Sequence, residues 1–292
     1  MSTQLTKPRA KARREDEFTS ARHVYEPHRV GLPPIIPYVR QLWQRRQFAF
    51  ELARTNLRTQ HFNTALGQLW LVVNPLLLGL VYFALVEIVG GNRGSAFLAH
   101  LLLGLFAFRL VSTSISDGAR SVVGGGRLIL NTAFPRTLLP LAAVLTSCMR
   151  FLPTLVVYGV LHVSVGLPIG PHLLWTIPIF ALLVVFASGA TMLVAAVQVY
   201  FRDVRNFLPY FMRIWLYSSP ILYYVDEVPP RFDPILAANP LAPMLGALSD
   251  VVNQGEAPSF AALGWGLAWA TGALLVGALF FISREREFAV RL

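Results

Sequence analysis

Six long apolar runs occupy most of the chain after residue 68, and they constrain its fold more than any other feature. They cover residues 69–90, 97–116, 138–165, 172–199, 206–224 and 260–283. A helix needs roughly 20 apolar residues to cross the hydrocarbon core of a bilayer. Only 14% of the 292 residues are charged, well below the fraction typical of a soluble domain. We therefore predict an all-α integral membrane protein with six transmembrane helices.

The basic residues fall on one side of this predicted arrangement. Of the 25 lysines and arginines, 12 lie before residue 69, and further arginines lie in segments 117–137, 200–213 and the C-terminal tail. The opposite side has only Arg93 and Arg231. Because loops rich in Lys and Arg stay in the cytoplasm, we expect both termini to be cytoplasmic and the protein to lie in the plasma (inner) membrane.

Three regions follow from these patterns. Residues 1–37 carry charges of both signs and several prolines, so they are expected to form a cytoplasmic flexible tail. An arm that binds nucleic acid is the alternative, which we do not favour because the basic charge lies beside a predicted membrane surface. Residues 38–68 are an amphipathic interface helix and a junction. Residues 69–292 form the six-span domain.

Residues 38–58 carry an apolar stripe at helical spacing, which includes Trp43 and Phe50. Such a helix would lie in the membrane interface, with basic residues such as Arg46 and Arg54 available to lipid headgroups. Membrane lipids are therefore expected partners of this segment. A soluble helix packed on a partner protein is the alternative.

The segment 117–135, after the second run, is too long and too patterned for a simple turn. Three glycines precede Leu128 and Ile129, which form an apolar contact patch, and Pro135 ends it. An ATP-binding loop of the usual kind needs a lysine followed by Ser or Thr, and no lysine follows Lys11. Any ATP and magnesium must therefore be bound by another polypeptide.

Segment 225–258 is apolar but interrupted by prolines, including Pro229, Pro230 and Pro240. Proline breaks a continuous helix, so we expect short helices that dip into the outer half of the bilayer and form a candidate lid over an exit path. Backbone at that depth has to be buried in protein or face water. An ordinary structured loop is the alternative.

Two arginines lie inside predicted spans, where a charge is costly and suggests a function. Glu87 is the only acid within a span, and its depth makes it an improbable partner for Arg109, which can extend towards the inner headgroups. Arg150 lies about 18 Å from the inner boundary at the rise of an α-helix. An anionic substrate group or a cluster of carbonyls would satisfy it.

Aromatic residues are abundant in the first and fifth spans, and sugars stack on aromatic rings. Most such rings pack in the interior or at the membrane interface, but a path for sugars is the second interpretation. The candidates for that path, together with Arg150, are Trp70, Tyr82, Phe83, Trp215, Tyr217, Tyr223 and Tyr224.

Catalysis has little support in the sequence. The acids and the six histidines are scattered, without the spacing of a metal site or an acid–base pair. Cys148 is the single cysteine, so an intrachain disulfide is excluded. We expect a transport subunit without catalytic residues, bound metal or cofactor of its own.

Five short motifs carry a family resemblance in their order and spacing. They are ALGQLWLVVNPLL, RLILNTAFPRTLLPLAAVL, YFRDVRNF, SSPILYY and ANPL, which span the chain from Ala65 to Leu241. With them the chain resembles the membrane subunit of polysaccharide ABC exporters, the Wzm type. Its arginine-rich, lysine-poor usage is similar to the mycobacterial exporters of lipid-linked cell-wall galactan within that family. Ser249 and Asp250 depart from the Tyr-Arg of many relatives, which puts the chemistry of the outer gate in doubt.

The resemblance implies a homodimer that works with a separate ABC ATPase of the Wzt type and exports a polyprenyl-diphosphate-linked polysaccharide. It implies that segment 225–258 holds two re-entrant gate helices before the last span, with Pro229, Pro230, Asn239 and Pro240 in the outer gate. It also implies that the first and fifth spans line the channel. The residues that it implies for coupling to the ATPase are Asp117, Arg120, Arg127, Leu128, Ile129, Phe134, Pro135, Arg202 and Asp203. An exporter subunit for a drug or small lipid and a membrane enzyme acting on glycan lipids are the competing hypotheses.

Overall fold

The computed structural model describes residues 34–60, 66–90 and 94–291, and these residues are helical, with connecting turns and no strand. They belong to one compact unit, Leu32–Leu292. The expected flexible tail, 1–37, lies outside the described residues except for its last four positions.

Twelve α-helices are present in the described part of the chain. They are α1 Ile35–Gln44, α2 Arg46–Gln60, α3 Trp70–Gly90, α4 Gly94–Gly124, α5 Gly126–Asn131, α6 Leu138–Val165, α7 Thr176–Tyr200, α8 Val204–Ser218, α9 Asp233–Ala238, α10 Ala242–Ser249, α11 Phe260–Arg284 and α12 Phe288–Arg291.

Four helical stretches within the described residues are long and apolar enough to cross a membrane. They are Gly94–Gly124, Leu138–Val165, Pro171–Tyr200 and Phe260–Arg291. A bent pair of helices would be a fifth if it counts as one span. The apolar stretch Trp70–Leu85 in α3 is shorter, and α8 has only 15 residues. The structure thus gives an all-helical protein with several candidate spans, fewer than the six predicted.

Helix α4 lies at the centre of the bundle, and more than half of its 31 residues are buried. It packs against α6 and α7, and α7 packs in turn against α11. Lipid is as apolar as leucine, so helices in a membrane associate through close packing at small residues. Gly189 and Gly277 provide such a contact: a Cβ on Gly277 would lie 2.0 Å from the carbonyl oxygen of Gly189.

The helix predicted over 38–58 is divided into two helices, α1 and α2, which are separated at Arg45. The Arg45 guanidinium donates a hydrogen bond to the carbonyl of Ala133. The apolar stripe is also divided. Ala49 and Ala53 are buried in the contact with α6, whereas Trp43 and Phe50 remain exposed at 69% and 49%.

The proline-rich segment before α11 forms two helical pieces, Pro230–Ala238 and Ala242–Gln254, which meet at 108°. The break falls at Asn239 and Pro240, as expected for a proline that cannot continue a helix. The second piece contacts α4, α7 and α11. His100, near the start of α4, hydrogen-bonds to Ser249 of α10. We call this the α10 end of the bundle, and the opposite end, where α5 follows α4, the α5 end.

Candidate functional site

The segment predicted to couple the chain to an ATPase forms a small structure at the α5 end. Helix α4 continues to Gly124, so Asp117 and Arg120 lie on its last turns, and α5 follows. Ile129 and Pro135 are buried and Leu128 is partly buried, whereas Arg120 and Arg127 are exposed. The Phe134 ring packs on Phe48 of α2, with 5.1 Å between the ring centroids. The segment is therefore anchored to the interface helices and exposes basic side chains.

A buried carboxylate joins three distant segments at this end. The Tyr38 hydroxyl of α1 and the backbone N–H of Arg136 both donate to Glu285, and the Arg136 guanidinium donates to the Glu285 carbonyl. Glu285 is 8% exposed. Burial raises the pKa of Tyr38 far above its ordinary value, so its hydroxyl remains a donor. Thr137 lies within hydrogen-bond distance of the same hydroxyl.

The sequence gives no sign of this junction, because Arg136 and Tyr38 lie 149 and 247 residues before Glu285. Glu285 itself lies in a tail with charges of both signs. A cleft of about 740 Å³ opens beside the junction, between α1, the α5–α6 connection and the end of α11.

The other two predicted coupling residues, Arg202 and Asp203, lie apart from α5. Both are exposed in the turn before α8, where they line a separate depression of about 810 Å³ with Arg291. Helix α12, which carries Arg291, contacts both α5 and α7. The two coupling segments are therefore connected through the C-terminal helix and through an apolar cluster that includes Val122, Ile129 and Val199.

Arg150 pairs with Asp117, and the sequence analysis missed this partner. The Arg150 Nη1 atom donates to the Asp117 carboxylate at 2.7 Å, and the two side chains are 19% and 40% exposed. The second apolar run ends at residue 116, which places Asp117 in the predicted loop. Helix α4 instead continues past it, and the antiparallel neighbour α6 brings Arg150 within reach.

The pair lies in the wall between two cavities. The smaller, of about 190 Å³, lies between α3, α4 and α6 and is lined by both members of the pair together with Trp70, Asn74 and Arg109. The larger, of about 560 Å³, reaches the α5 end. It is lined by the same pair together with Asn56 of α2, Arg120 and Arg127. Four arginines therefore follow one another from the α5 end into the bundle.

The predicted aromatic path is only partly brought together. Trp70 shares the smaller cavity with Arg150, and the side chains of Tyr82 in α3 and Tyr217 in α8 lie close to each other. Phe83 and Tyr223 are partly buried. Trp215 packs on Phe108 and Phe186 with ring centroids 6.0 Å apart. It lines a different, apolar cavity of about 570 Å³. Within the described residues, one chain does not form a continuous aromatic lining.

The residues of the predicted outer gate differ in their surroundings. Pro229 and Pro230 are exposed, whereas Asn239 is 5% exposed and Pro240 follows it at the bend. The Asn239 side chain accepts from Trp215 Nε1 at 2.9 Å and donates to the Ser218 carbonyl and the Ser219 hydroxyl. It also accepts from the backbone N–H of Leu241. Asn239 therefore fixes the bend to the end of α8.

The residue that departs from many relatives, Ser249, also has a defined contact. Its hydroxyl lies 2.8 Å from His100 Nδ1, and Asn253 donates to the same hydroxyl. Tyr224 packs over the His100 ring at 4.4 Å. Across the three described ranges, no group of three or more His, Cys, Asp or Glu side chains could hold a metal ion.

The described residues form an all-helical protein with several helices long and apolar enough to cross a membrane, and comparisons with known proteins agree with this. The sequence profile of the ABC-2 type transporter family matches residues 47–252. The chain is 29% identical over 205 residues to the O-antigen export system permease protein RfbA of Klebsiella pneumoniae, covering 70% of this chain and 79% of that protein.

The protein of the same name from Myxococcus xanthus is 27% identical over 267 residues, which cover 87% of this chain and 99% of that protein. These matches confirm the resemblance to export permeases that the motifs indicated. Since the family profile covers most of the chain, we conclude that this multi-pass membrane protein belongs to the ABC-2 type transporter family.

Proposed function

We propose that the chain is the transmembrane subunit of an ATP-driven exporter that moves a polyprenyl-diphosphate-linked polysaccharide out of the cytoplasm. The observation that carries this proposal is the match to O-antigen export permeases along 87% of the chain. The glycan is a galactan or an O-antigen-like polymer. Its destination is the outer side of the plasma membrane.

A separate ABC ATPase of the Wzt type supplies the energy and binds ATP and magnesium. The absence of lysine after Lys11 supports this division, because a phosphate-binding loop requires one. The exposed Arg127 and Leu130 beside the anchored Phe134 suit a docking surface for that subunit. Arg202 and Asp203 form a second contact.

Two copies of the chain form the transport path. Large apolar side chains remain exposed on α3 and α8, including Val81, Ile88, Tyr210 and Ile214, and exposed apolar patches mark interaction or lipid surfaces. A second copy across these helices would complete the aromatic lining that one chain lacks. A homodimer is the expected arrangement, since most oligomers are symmetric.

In this proposal α3, α4, α6, α7, α8 and α11 are the six spans, and both termini are cytoplasmic. The arginine distribution supports that orientation, which places the α5 end in the cytoplasm and the α10 end outside. The bent pair around Asn239 acts as the outer gate. Helices α1 and α2 lie along the inner surface, where the exposed Trp43 and Phe50 contact lipid.

Depletion of the protein in its native cell tests the function. We expect lipid-linked glycan to accumulate, resistant to a glycan-degrading enzyme in intact cells and sensitive in opened vesicles. Analysis of the accumulated sugars then distinguishes galactan from another polymer. Unchanged amount and sidedness of glycan lipids would contradict polysaccharide export and favour export of a drug or small lipid.

A further inference from the structure

We propose that Arg109 and Arg150 bind the diphosphate group of the lipid carrier in the cleft between α3, α4 and α6, and that Asp117 is the counter-ion which the diphosphate displaces. This inference rests on the proposed function, because it assigns a site to one part of that substrate.

The arginines that line the cleft have more N–H donors and more positive charge than their protein partners satisfy. Asp117 accepts from a single nitrogen of Arg150, and the buried Nε of Arg150 has no hydrogen-bond partner. In the part of the chain that the structure describes, no side-chain hydrogen bond or ion pair involves the Arg109 guanidinium. An arginine has five N–H donors. Arg109 lines the cleft and is exposed on the single chain. Two guanidinium groups and one carboxylate therefore leave one positive charge and several donors at the cleft.

Uncompensated charge within a membrane is costly, and an anion bound in the cleft would compensate it. Guanidinium groups bind phosphate oxygens through paired, charge-assisted hydrogen bonds. A neutral sugar would leave the excess charge in place. The cleft volume of about 190 Å³ lies below the roughly 300 Å³ at which sites for drug-sized ligands begin. It therefore suits a headgroup and excludes a glycan chain.

The neighbouring cavity gives the anion a route from the α5 end. Arg120 and Arg127 line that cavity, and Arg120 lies 11 residues after Arg109 on α4, or about 16 Å along the helix axis. Asp117 lies between the two groups of arginines. Its carboxylate is part-exposed and holds Arg150 while the cleft is empty. An arriving diphosphate competes with it for the same guanidinium.

The cleft also has a suitable neighbour for the lipid portion. Trp70 and Leu71 of α3 line it, and the rest of that helix exposes leucine and valine side chains. A polyprenyl chain can therefore follow the α3 surface while its diphosphate lies between the arginines. The diphosphate headgroup and the polyprenyl chain would therefore contact different surfaces of the protein.

The test measures binding rather than transport. The assembled transporter, with its ATPase, is placed in nanodiscs of neutral lipid and titrated with a long-chain polyprenyl diphosphate. The polyprenol of the same chain length is the second probe. Arg109→Gln is the principal variant. Arg231→Gln, which removes an arginine from the opposite end of the bundle, is the matched control.

We expect Arg109→Gln to weaken binding of the diphosphate by about tenfold, as for the loss of one charge-assisted interaction. Arg231→Gln should bind normally, and the polyprenol should bind all variants equally. Asp117→Asn should tighten diphosphate binding by about threefold, because the competing carboxylate is lost. The double variant Arg150→Gln/Asp117→Asn avoids an unpaired carboxylate and should bind as weakly as Arg109→Gln.

Equal affinity of Arg109→Gln and Arg231→Gln for the diphosphate would overturn the proposed site. An equal loss of polyprenol binding would also overturn it, since the cleft would then recognise the chain and not the charge. If depletion leads to glycan accumulation while Arg109→Gln binds normally, only this site is wrong. If glycan lipids are unchanged, the proposed function fails independently of the binding result.

Discussion

At the α5 end of the bundle, three distant segments meet around the buried carboxylate of Glu285, whereas at the α10 end Asn239 and Ser249 join their neighbours through neutral hydrogen bonds. Removing one partner of a buried charge leaves the other uncompensated and costs several kcal/mol. A neutral hydrogen bond costs less to lose. A single substitution at the α5 junction is therefore expected to cost more unfolding free energy than a single substitution at the α10 end.

The largest effect should come from Glu285→Ala, which removes the acceptor shared by Tyr38 and Arg136. We expect it to lower the free energy of unfolding by about 3–5 kcal/mol, because the buried Tyr38 hydroxyl and the part-buried N–H of Arg136 both lose a charged acceptor. Denaturant unfolding of the purified protein in detergent measures the loss. Glu287→Ala is the control, since its ion pairs are more exposed. Equal losses in the two variants would remove the distinction between the two ends.

Asn239→Ala tests the opposite end. It removes an amide that joins Trp215, Ser219 and the Leu241 backbone, so we expect a loss of about 2 kcal/mol. The same unfolding measurement applies, with the exposed Asn206→Ala as the control. A loss as large as that of Glu285→Ala would show that neutral contacts hold the bend as firmly as the buried charge holds the α5 end.

The contact between Phe48 and Phe134 links a second pair of segments at the α5 end, and it tests whether an uncharged contact also stabilises that end. A double-mutant cycle with alanine should give an interaction energy of about 1 kcal/mol for this ring pair. In the assembled transporter, Phe134→Ala should also lower export relative to ATP hydrolysis. Phe260→Ala, an exposed ring at the start of α11, is the control. Unchanged coupling in Phe134→Ala would contradict a role for this segment in transmission.

Ser249→Ala should have the smallest effect. It removes the hydroxyl between His100 and Asn253, and we expect a loss of about 1 kcal/mol or less. Thermal unfolding in detergent measures this loss. Ser259 is unsuitable as a control position, because its side chain caps α11. Ser164→Ala on α6 serves as the control instead. A loss above that of Asn239→Ala would reverse the order expected within the α10 end.

Hydropathy predicted where the long helices lie, because apolar length is a local property of the chain. It could not predict contacts such as Arg150 with Asp117, for which the second span had to be extended beyond residue 116. The helix predicted over 38–58 was interrupted at Arg45 by a contact with Ala133, which periodicity alone does not show. Glu285 gave no signal, since its partners lie far away along the chain and its neighbours are ordinary surface charges.

The close approach of α7 and α11 at Gly189 and Gly277 restricts how this bundle can change shape. Backbone meets backbone there, so no side chain can change rotamer to absorb a displacement, and sliding would bring peptide groups into overlap. These two helices therefore form one rigid body. Any widening of a path through the protein has to come from the other helices, of which α3 and α8 are less extensively packed against α4 than α6 and α7 are.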